Sequence, residues 1–417
     1  MILKRNYLIA GFVLCFFEGM AQNVSSPYSI TGIGDLETTE YGRYSATGSA
    51  SAARRDDGYY NFSNPASLTS ITYKTVNLHM FTRGRVSKYK VPGIDSIAGP
   101  SKDFIIKSIA LAYKVTPKTA FAVGLKPFSS VNYQYSANAS VNDDHVDYVK
   151  YTDGSGGIYQ TYLSLARTLG KNLSVGVTGS WLFGSLHSNV EYYNPALSLD
   201  VLKLQSNFYG GGGLQAGLQY YTDPRKKWQH TFGVTSALYT KLSGYNSTQY
   251  YEADTLFKSL DDENISFKMP ANFSAAYSLL NKNGLSFHIQ GDFQKWGTQK
   301  TAYSKINIRD AVGFSGGIEY SSRIKAGDFY IEKYYLALGM RTSQSYLVIN
   351  GNRVNDMAFT FGAGKNLSRI IGVNLSMEAG KKGLSSLNQI RENYFQFSLG
   401  LTLKDMWYGT RKFGRYD

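Results

Sequence analysis

The chain has 417 residues, 43% hydrophobic and 18% charged, enough for one large domain or two ordinary ones, and this balance excludes disorder. Glycine at 42 residues and tyrosine at 34 favour strands over helices, because tyrosine fits a pleated, half-buried surface and glycine is a poor interior helix residue. A formal net charge of +14 could suit nucleic acid, yet no compact Lys/Arg stripe appears, and no nucleic-acid partner is expected.

Residues 1–21 read as a secretory signal peptide. Lys4 and Arg5 precede an apolar stretch from Leu8 to Phe17, and Gly19, Met20 and Ala21 supply small residues at the cleavage spacing. A membrane anchor would need about 20 apolar residues, and Glu18 interrupts after about half that. Cys15, the one cysteine, lies inside this segment behind Leu14, where a lipoprotein site needs a small residue. A chain starting at Gln22 has no cysteine and no disulfide framework. It also has no run of 18 apolar residues, so any membrane span must be a closed barrel.

Residues 22–70 do not read as strands. They carry Ser26-Pro27-Tyr28, Gly32-Ile33-Gly34-Asp35, a small-residue stretch from Ala46 to Ala53, then Asp56-Asp57 and Asn64-Pro65-Ala66. The small stretch fits a short helix packed closely against a wall.

From Ile71 onward the pattern has period two. Leu285, Phe287, Ile289 and Phe293 alternate with Ser286, His288, Gln290 and Asp292; Phe395, Phe397, Leu399 and Leu401 alternate with Gln396, Ser398, Gly400 and Thr402. Such alternation places one face in an apolar medium and the other in a polar one. The spacing predicts about fourteen strands, near 71–83, 103–115, 118–136, 156–168, 172–188, 206–222, 227–243, 265–280, 283–296, 311–322, 332–349, 354–366, 370–380 and 393–404. Links alternate in length: 84–102, 137–155, 189–205 and 244–264 are long, whereas Thr116-Pro117, 169–171, Asn281-Lys282 and 366–369 are tight. An even strand count with alternating loops is the plan of an antiparallel transmembrane β-barrel, with short turns in the periplasm. Asn350-Gly351 is the exception, a tight hairpin where a long loop is due.

Tyrosine pairs at Tyr192-Tyr193, Tyr220-Tyr221, Tyr250-Tyr251 and Tyr334-Tyr335 suit aromatic girdles at the lipid boundary. Acidic residues such as Asp143, Glu252, Asp254 and Asp262 fall in the long links, while Lys171, Lys282, Arg369 and Arg411 fall in the turns and the basic tail 405–417. That tail, expected in the periplasm, leaves room for an outer-membrane or periplasmic protein partner.

No enzyme is expected. Gly313-Phe314-Ser315-Gly316-Gly317 matches a nucleophile elbow in letters only, since that turn needs a following histidine and none follows His288. The five histidines show no metal-ligand spacing, so neither metal nor other cofactor is called for. On the alternation, Asn77, His79, His288, Asp292, Glu319, Arg341 and Glu378 point into the lumen. An ion-paired interior, or contact with Arg54, Arg55, Asp56 and Asp57, accounts for them better than a ligand site does. Pro127 interrupts the third strand, and a proline removes a ladder hydrogen bond. It implies either a local gap in the wall or a strand ending at Lys126.

The order of these features resembles the FadL-type long-chain fatty-acid transporters over essentially all of the chain after residue 21. The small-residue run, Asp56, Asp57 and Asn64-Pro65-Ala66 are similar to that family's N-terminal plug, or hatch. Met269-Pro270-Ala271-Asn272-Phe273 and Gly291-Asp292-Phe293-Gln294-Lys295-Trp296 are similar to its late-barrel signature. Ser26-Pro27-Tyr28, Glu392-Asn393-Tyr394-Phe395 and 401–407 resemble a FadL-like group of Bacteroidota. The resemblance implies an all-β barrel (71–404) around a plug (22–70), set in outer-membrane lipid, and makes Pro127 a lateral gate for hydrophobic small-molecule cargo. Two functions stand on it: passive uptake of small hydrophobic molecules with sideways release, or a non-transporting scaffold subunit of an assembly or secretion complex, as some members of the wider family are.

Overall fold

A computed structural model describes residues 26–37, 40–90, 100–141, 146–194, 199–223, 226–252, 254–297, 299–300, 306–326, 329–383 and 390–406. The signal-peptide expectation and most of the basic tail lie outside them. The described chain is one antiparallel sheet closed on itself. Its strands are β1 (Asp35–Leu36), β2 (Thr75–Lys90), β3 (Ser101–Lys114), β4 (Thr119–Val141), β5 (Val146–Leu169), β6 (Leu173–Asn194), β7 (Leu199–Tyr221), β8 (Trp228–Tyr239), β9 (Leu242–Glu252), β10 (Thr255–Phe267), β11 (Ala271–Asn281), β12 (Leu285–Lys295), β13 (Gln299–Lys300), β14 (Ile306–Ile308), β15 (Ala311–Ala326), β16 (Phe329–Ile349), β17 (Asn352–Asn366), β18 (Ile371–Lys382) and β19 (Arg391–Met406).

Fourteen of these form the barrel wall. They are β2 to β8, β11, β12 and β15 to β19, and β19 pairs with β2 from Lys90 opposite Arg391 to Thr75 opposite Met406. A barrel closed this way has no outer edge strand, so every wall strand is offered a partner on both sides. The outer face carries the apolar half of each alternation: Ile289, Phe314, Leu338 and Phe359 are each more than 60% exposed. The adjacent residues His288, Gln290, Ala337 and Thr360 are buried inside. Exposure on this scale is stable in lipid and not in water.

Most strands run further than the alternation marks them. β5 starts ten residues before its expected 156, and β2 and β3 extend their ladder into the expected 84–102 loop as far as Ser87 opposite Ser101. Beyond the bilayer both faces meet water, so pairing continues with no polarity signal. For the same reason the expected loop 244–264 is a hairpin: β9 pairs with the upper half of β7 and with β10, as a three-stranded flap beyond the wall. The expected strands at 227–243 and 265–280 each divide there, into β8 and β9 and into β10 and β11. The first barrel strand starts at Thr75 rather than Ile71, whose side chain is fully buried. Asn350 and Gly351 take φ of 52° and 80°, the left-handed pair that a two-residue hairpin requires.

Two of the four tyrosine pairs need correction as girdles. Adjacent strand residues face opposite sides, so Tyr220 and Tyr334 are exposed while Tyr221 and Tyr335 are buried in the lumen. Tyr335 donates to Asn374 at 2.9 Å, and Tyr221 lies under Arg55 at 3.9 Å.

Candidate functional site

Residues 26–37 and 40–71 lie inside the barrel and divide its lumen, and the exposed residues 72–74 lead into the first wall strand. The second stretch fills the end nearest the tight turns. The small-residue run there is not a helix: only Ser45–Thr47 makes a single 3₁₀ turn, ended by Gly48 at φ 68°. Its tight packing comes from glycines in the wall. A Cβ on Gly317 would stand 2.6 Å from the Thr47 Cα, and one on Gly233 would meet the Ala52 and Ala53 backbone. Asn64 caps the 3₁₀ helix Pro65–Ser70, accepting from the Ala66 amide at 3.0 Å, and donates to the Ala52 and Leu218 carbonyls at 2.7 and 3.2 Å. Such a cap contributes about 1 kcal/mol, and here it also joins segment to wall. Pro65 sits in the first turn, where its missing N–H costs nothing.

Charge locks this stretch in place. Arg43 forms a fork with Glu319 and reaches Glu332 at 2.8 Å; Arg54 binds Asp56 at 2.9 Å and Glu319 at 2.8 Å. Burial alone would raise the Asp56 carboxyl, but Arg54 and Arg43 hold it well below the ordinary carboxylate range, so it is ionised throughout the neutral range. Arg55 donates to Gln219 at 2.9 Å, and Asp57 accepts from the Thr72 amide at 3.1 Å. Gln290 accepts from the amides of both Ser51 and Ala52.

The other lumen candidates fall into separate groups. His79 accepts from the Tyr60 amide at 3.3 Å, and Asn77 is fully buried. His288 is held by Ser278 and Ser286, and Asp292 accepts from Ser274 and Gln290. Arg341 binds Glu378 at 2.6 Å and Asp356 at 3.0 Å. Ser315 lies within β15 opposite Arg341, a strand position and not a turn. Among the described residues no cluster of His, Cys, Asp or Glu could hold a metal ion.

Pro127 marks the most irregular part of the wall. β4 does not end at Lys126. It carries a bulge between Pro127 and Ser129 that inverts its phase: Ala120 and Ala122 face inward before it, Val131 and Tyr133 after it. β3 bulges at the same level, where Lys107 is skipped between the pairs Phe81–Ser108 and Thr82–Ile106 and turns inward. The ladder between β3 and β4 stops at Ile109 opposite Leu125, although both strands continue beyond it. In a wall of otherwise paired strands this is an opening.

Nothing in the sequence signals what spans it. β1 pairs with the freed edge of β4, Asp35 opposite Ser130 and Leu36 opposite Ser129, and the Glu37 amide donates to the Phe128 carbonyl at 3.0 Å. The Glu37 carboxylate then accepts from Ser130 on β4 at 2.9 Å, from Arg83 on β2 at 3.0 Å and from Lys107 on β3. One side chain from the N-terminal segment thus ties three strands across the gap.

Residues 26–37 continue over the lumen at the long-loop end, where Ile33 packs with Leu242 and Met269, and Tyr346 donates to the Gly34 carbonyl at 3.0 Å. Between the two stretches lies a cavity of about 1110 Å³. Its inner lining includes Glu37, Arg83, Lys126, Gln160, Asp292 and Arg341. It continues through the gap to Ile106, Ile109, Leu125 and Tyr159, whose side chains are exposed on the outer face.

Comparison with known proteins agrees with this architecture. The family model described as BamG matches residues 1–414. No curated protein matches the chain. Among solved structures, the Pseudomonas putida toluene transporter TodX superposes with a TM-score of 0.60 at 14% identity, covering 90% of this chain and all of that one. The CymD monoaromatic hydrocarbon channel gives 0.58 at 15%, and a Pseudomonas aeruginosa FadL homologue 0.57 at 14%, each with the same coverage. At these identities the likeness is one of fold: a FadL-type outer-membrane β-barrel.

Proposed function

The chain belongs to the BamG family and has the fold of FadL-type outer-membrane channels, and from that premise we propose that it passes small hydrophobic molecules and releases them sideways into the bilayer beside Pro127. The observation that carries this reading is the stretch beyond Ile109 and Leu125 where β3 and β4 no longer pair with each other, through which the cavity reaches the lipid face. Residues 40–71, as a plug, bar the straight path to the turn end with buried ion pairs, so an exit through the wall asks least rearrangement. The solved structures of similar fold include a toluene transporter and a monoaromatic hydrocarbon channel, which supports a cargo of that size and polarity.

The test is to straighten the wall. Replacing Pro127→Ala and deleting Phe128 removes the bulge and restores both a backbone donor and the phase of β4. Uptake of a neutral aromatic probe by cells should fall to the level of cells lacking the protein, at equal surface amounts and with small polar permeation unchanged. Unchanged uptake through a straightened barrel would refute the exit.

The flap supports a second reading, that of a scaffold subunit. Leu256, Phe257 and Leu260 on β10 are 48%, 54% and 39% exposed, and among the described residues the strand register of β10 is with β9 alone. A protein co-purifying in equal amount in mild detergent, and lost when residues 244–264 are replaced by a short loop, would favour that reading.

A further inference from the structure

β5 carries an arginine on its lipid face. Leu163, Leu165 and Leu169 on that face are 53%, 55% and 43% exposed, and Arg167, in phase with them, is exposed as well. Its neighbours across the ladders are Thr119 on β4 and Val175 on β6, neither of which carries a charge. No acidic residue occurs in 104–142 or in 154–190, so the tight-turn halves of β3 to β6 hold no carboxylate that could turn toward it. Two further cations flank it. Lys118 and Lys171 are exposed in the two adjacent tight turns, and the Thr168 amide ties these turns together by donating to the Lys118 carbonyl at 2.8 Å. Lys114, on the same hairpin as Lys118, turns inward to the Thr69 carbonyl at 2.6 Å and takes no part.

The depth of this cluster decides what can meet it. Phe121 lies opposite Leu165, one step toward the belt, and its ring meets Tyr113 edge to face at 5.9 Å; Tyr220, 49% exposed, lies opposite Leu173 at the turn. Aromatic rings of this kind gather at the boundary between lipid and water, so Arg167 stands where the head groups begin. A charge on the lipid face is costly at mid-belt and nearly free where a head group reaches it. The guanidinium fork matches a phosphate in two places, and two ammonium groups beside it repel the cationic end of a zwitterionic head. We propose that the outer wall at β4 and β5 holds a phospholipid of net negative head group, its phosphate on Arg167 between Lys118 and Lys171 and its tails along Phe121, Val123 and Leu165. Barrels of this plan keep their tight turns in the periplasm, so the lipid belongs to the inner leaflet. The site lies on the outside of the wall and is independent of any passage through the lumen.

The test is equilibrium binding of radiolabelled dioleoylphosphatidylglycerol to the full-length protein in dodecyl maltoside micelles, beside dioleoylphosphatidylcholine, which has the same tails and a zwitterionic head, with empty micelles subtracted. Saturable binding of the first is expected, and clearly weaker binding of the second. Each basic side chain near a charged lipid surface is worth about fivefold in affinity, so Arg167→Gln should weaken binding by about that factor and the double variant Lys118→Gln with Lys171→Gln by more. Lys258→Gln, which removes an exposed cation from the flap, should leave it unchanged. The double variant decides the matter should Arg167→Gln fail to show the folded barrel's heat-dependent gel shift. Inorganic phosphate in millimolar excess should not displace the lipid, because the tails hold it; displacement would mean a site for free anions and would overturn the proposal. Equal binding of the two lipids, native binding by the folded charge-reduced variants, or an equal loss in Lys258→Gln would overturn it too.

Discussion

Glu37 shows how one residue can decide the state of a barrel wall. Its carboxylate is the sole ion-pair partner of Lys107 among the described residues, whereas Arg83 also holds Asp103 at 2.5 Å. Removing one member of a buried pair typically costs about 3–5 kcal/mol, because the other charge is left uncompensated. In Glu37→Gln that cost falls on the contact between β1, β3 and β4 and not on the ladders that close the barrel. The expected outcome is a severalfold rise in uptake of a neutral aromatic probe, with the urea midpoint of the whole barrel nearly unchanged. A Gln variant with native uptake would show that Glu37 does not hold the opening. Glu37 was not legible in the sequence. It follows a two-residue strand in a segment without periodicity, and its partners lie 46, 70 and 93 residues further on. Asp56 and Asn64 were easier to single out, because paired aspartates and an Asn-Pro step are local signals; Arg43, which carries the larger share of the Glu319 contact, has no such signature.

At the scale of single elements, the wall strands were legible wherever one face meets lipid and the other the lumen. That contrast fixes the phase of each strand, since a shift of one residue turns every side chain to the wrong face. Leu399 is 45% exposed and its neighbour Ser398 is 5% exposed, tightly enclosed. The fair inward comparison is therefore Ser343, which lines the cavity. Leu399→Arg should impair assembly by about 2–4 kcal/mol, the cost of a charge near the middle of the apolar belt, while Ser343→Arg should assemble almost normally. Folding yield into lipid vesicles reads the difference, and equal losses would show the register to be misassigned. The β9–β10 flap left no mark in the sequence pattern because both its faces meet water. The phase inversion in β4 was hidden for a different reason: Pro127 announces an interruption, but whether a strand ends there or bulges depends on whether the partners on either side continue, which one strand's sequence does not contain.

Over the whole molecule, the N-terminal segment and the wall work as one unit. Residues 40–71 fill one end of the lumen with ion pairs and caps, residues 26–37 cross the other, and the break in the β3–β4 ladder faces the cavity between them. Closing the last strand on the first makes the remaining wall continuous, so an opening at this one place is a feature of the two bulges and not of loose packing. Sideways release requires that the opening persist in lipid. Hydrogen exchange of the protein in lipid nanodiscs, resolved by peptide, tests this most directly. Within the single strand β3, residues 101–108 should exchange far faster than 109–114, because half of their amides lack a β4 partner and face a polar cavity, while the neighbouring strands β5 and β6 stay protected along their full pairing. Uniform slow exchange along β3 would mean that the wall is closed, and would contradict lateral release.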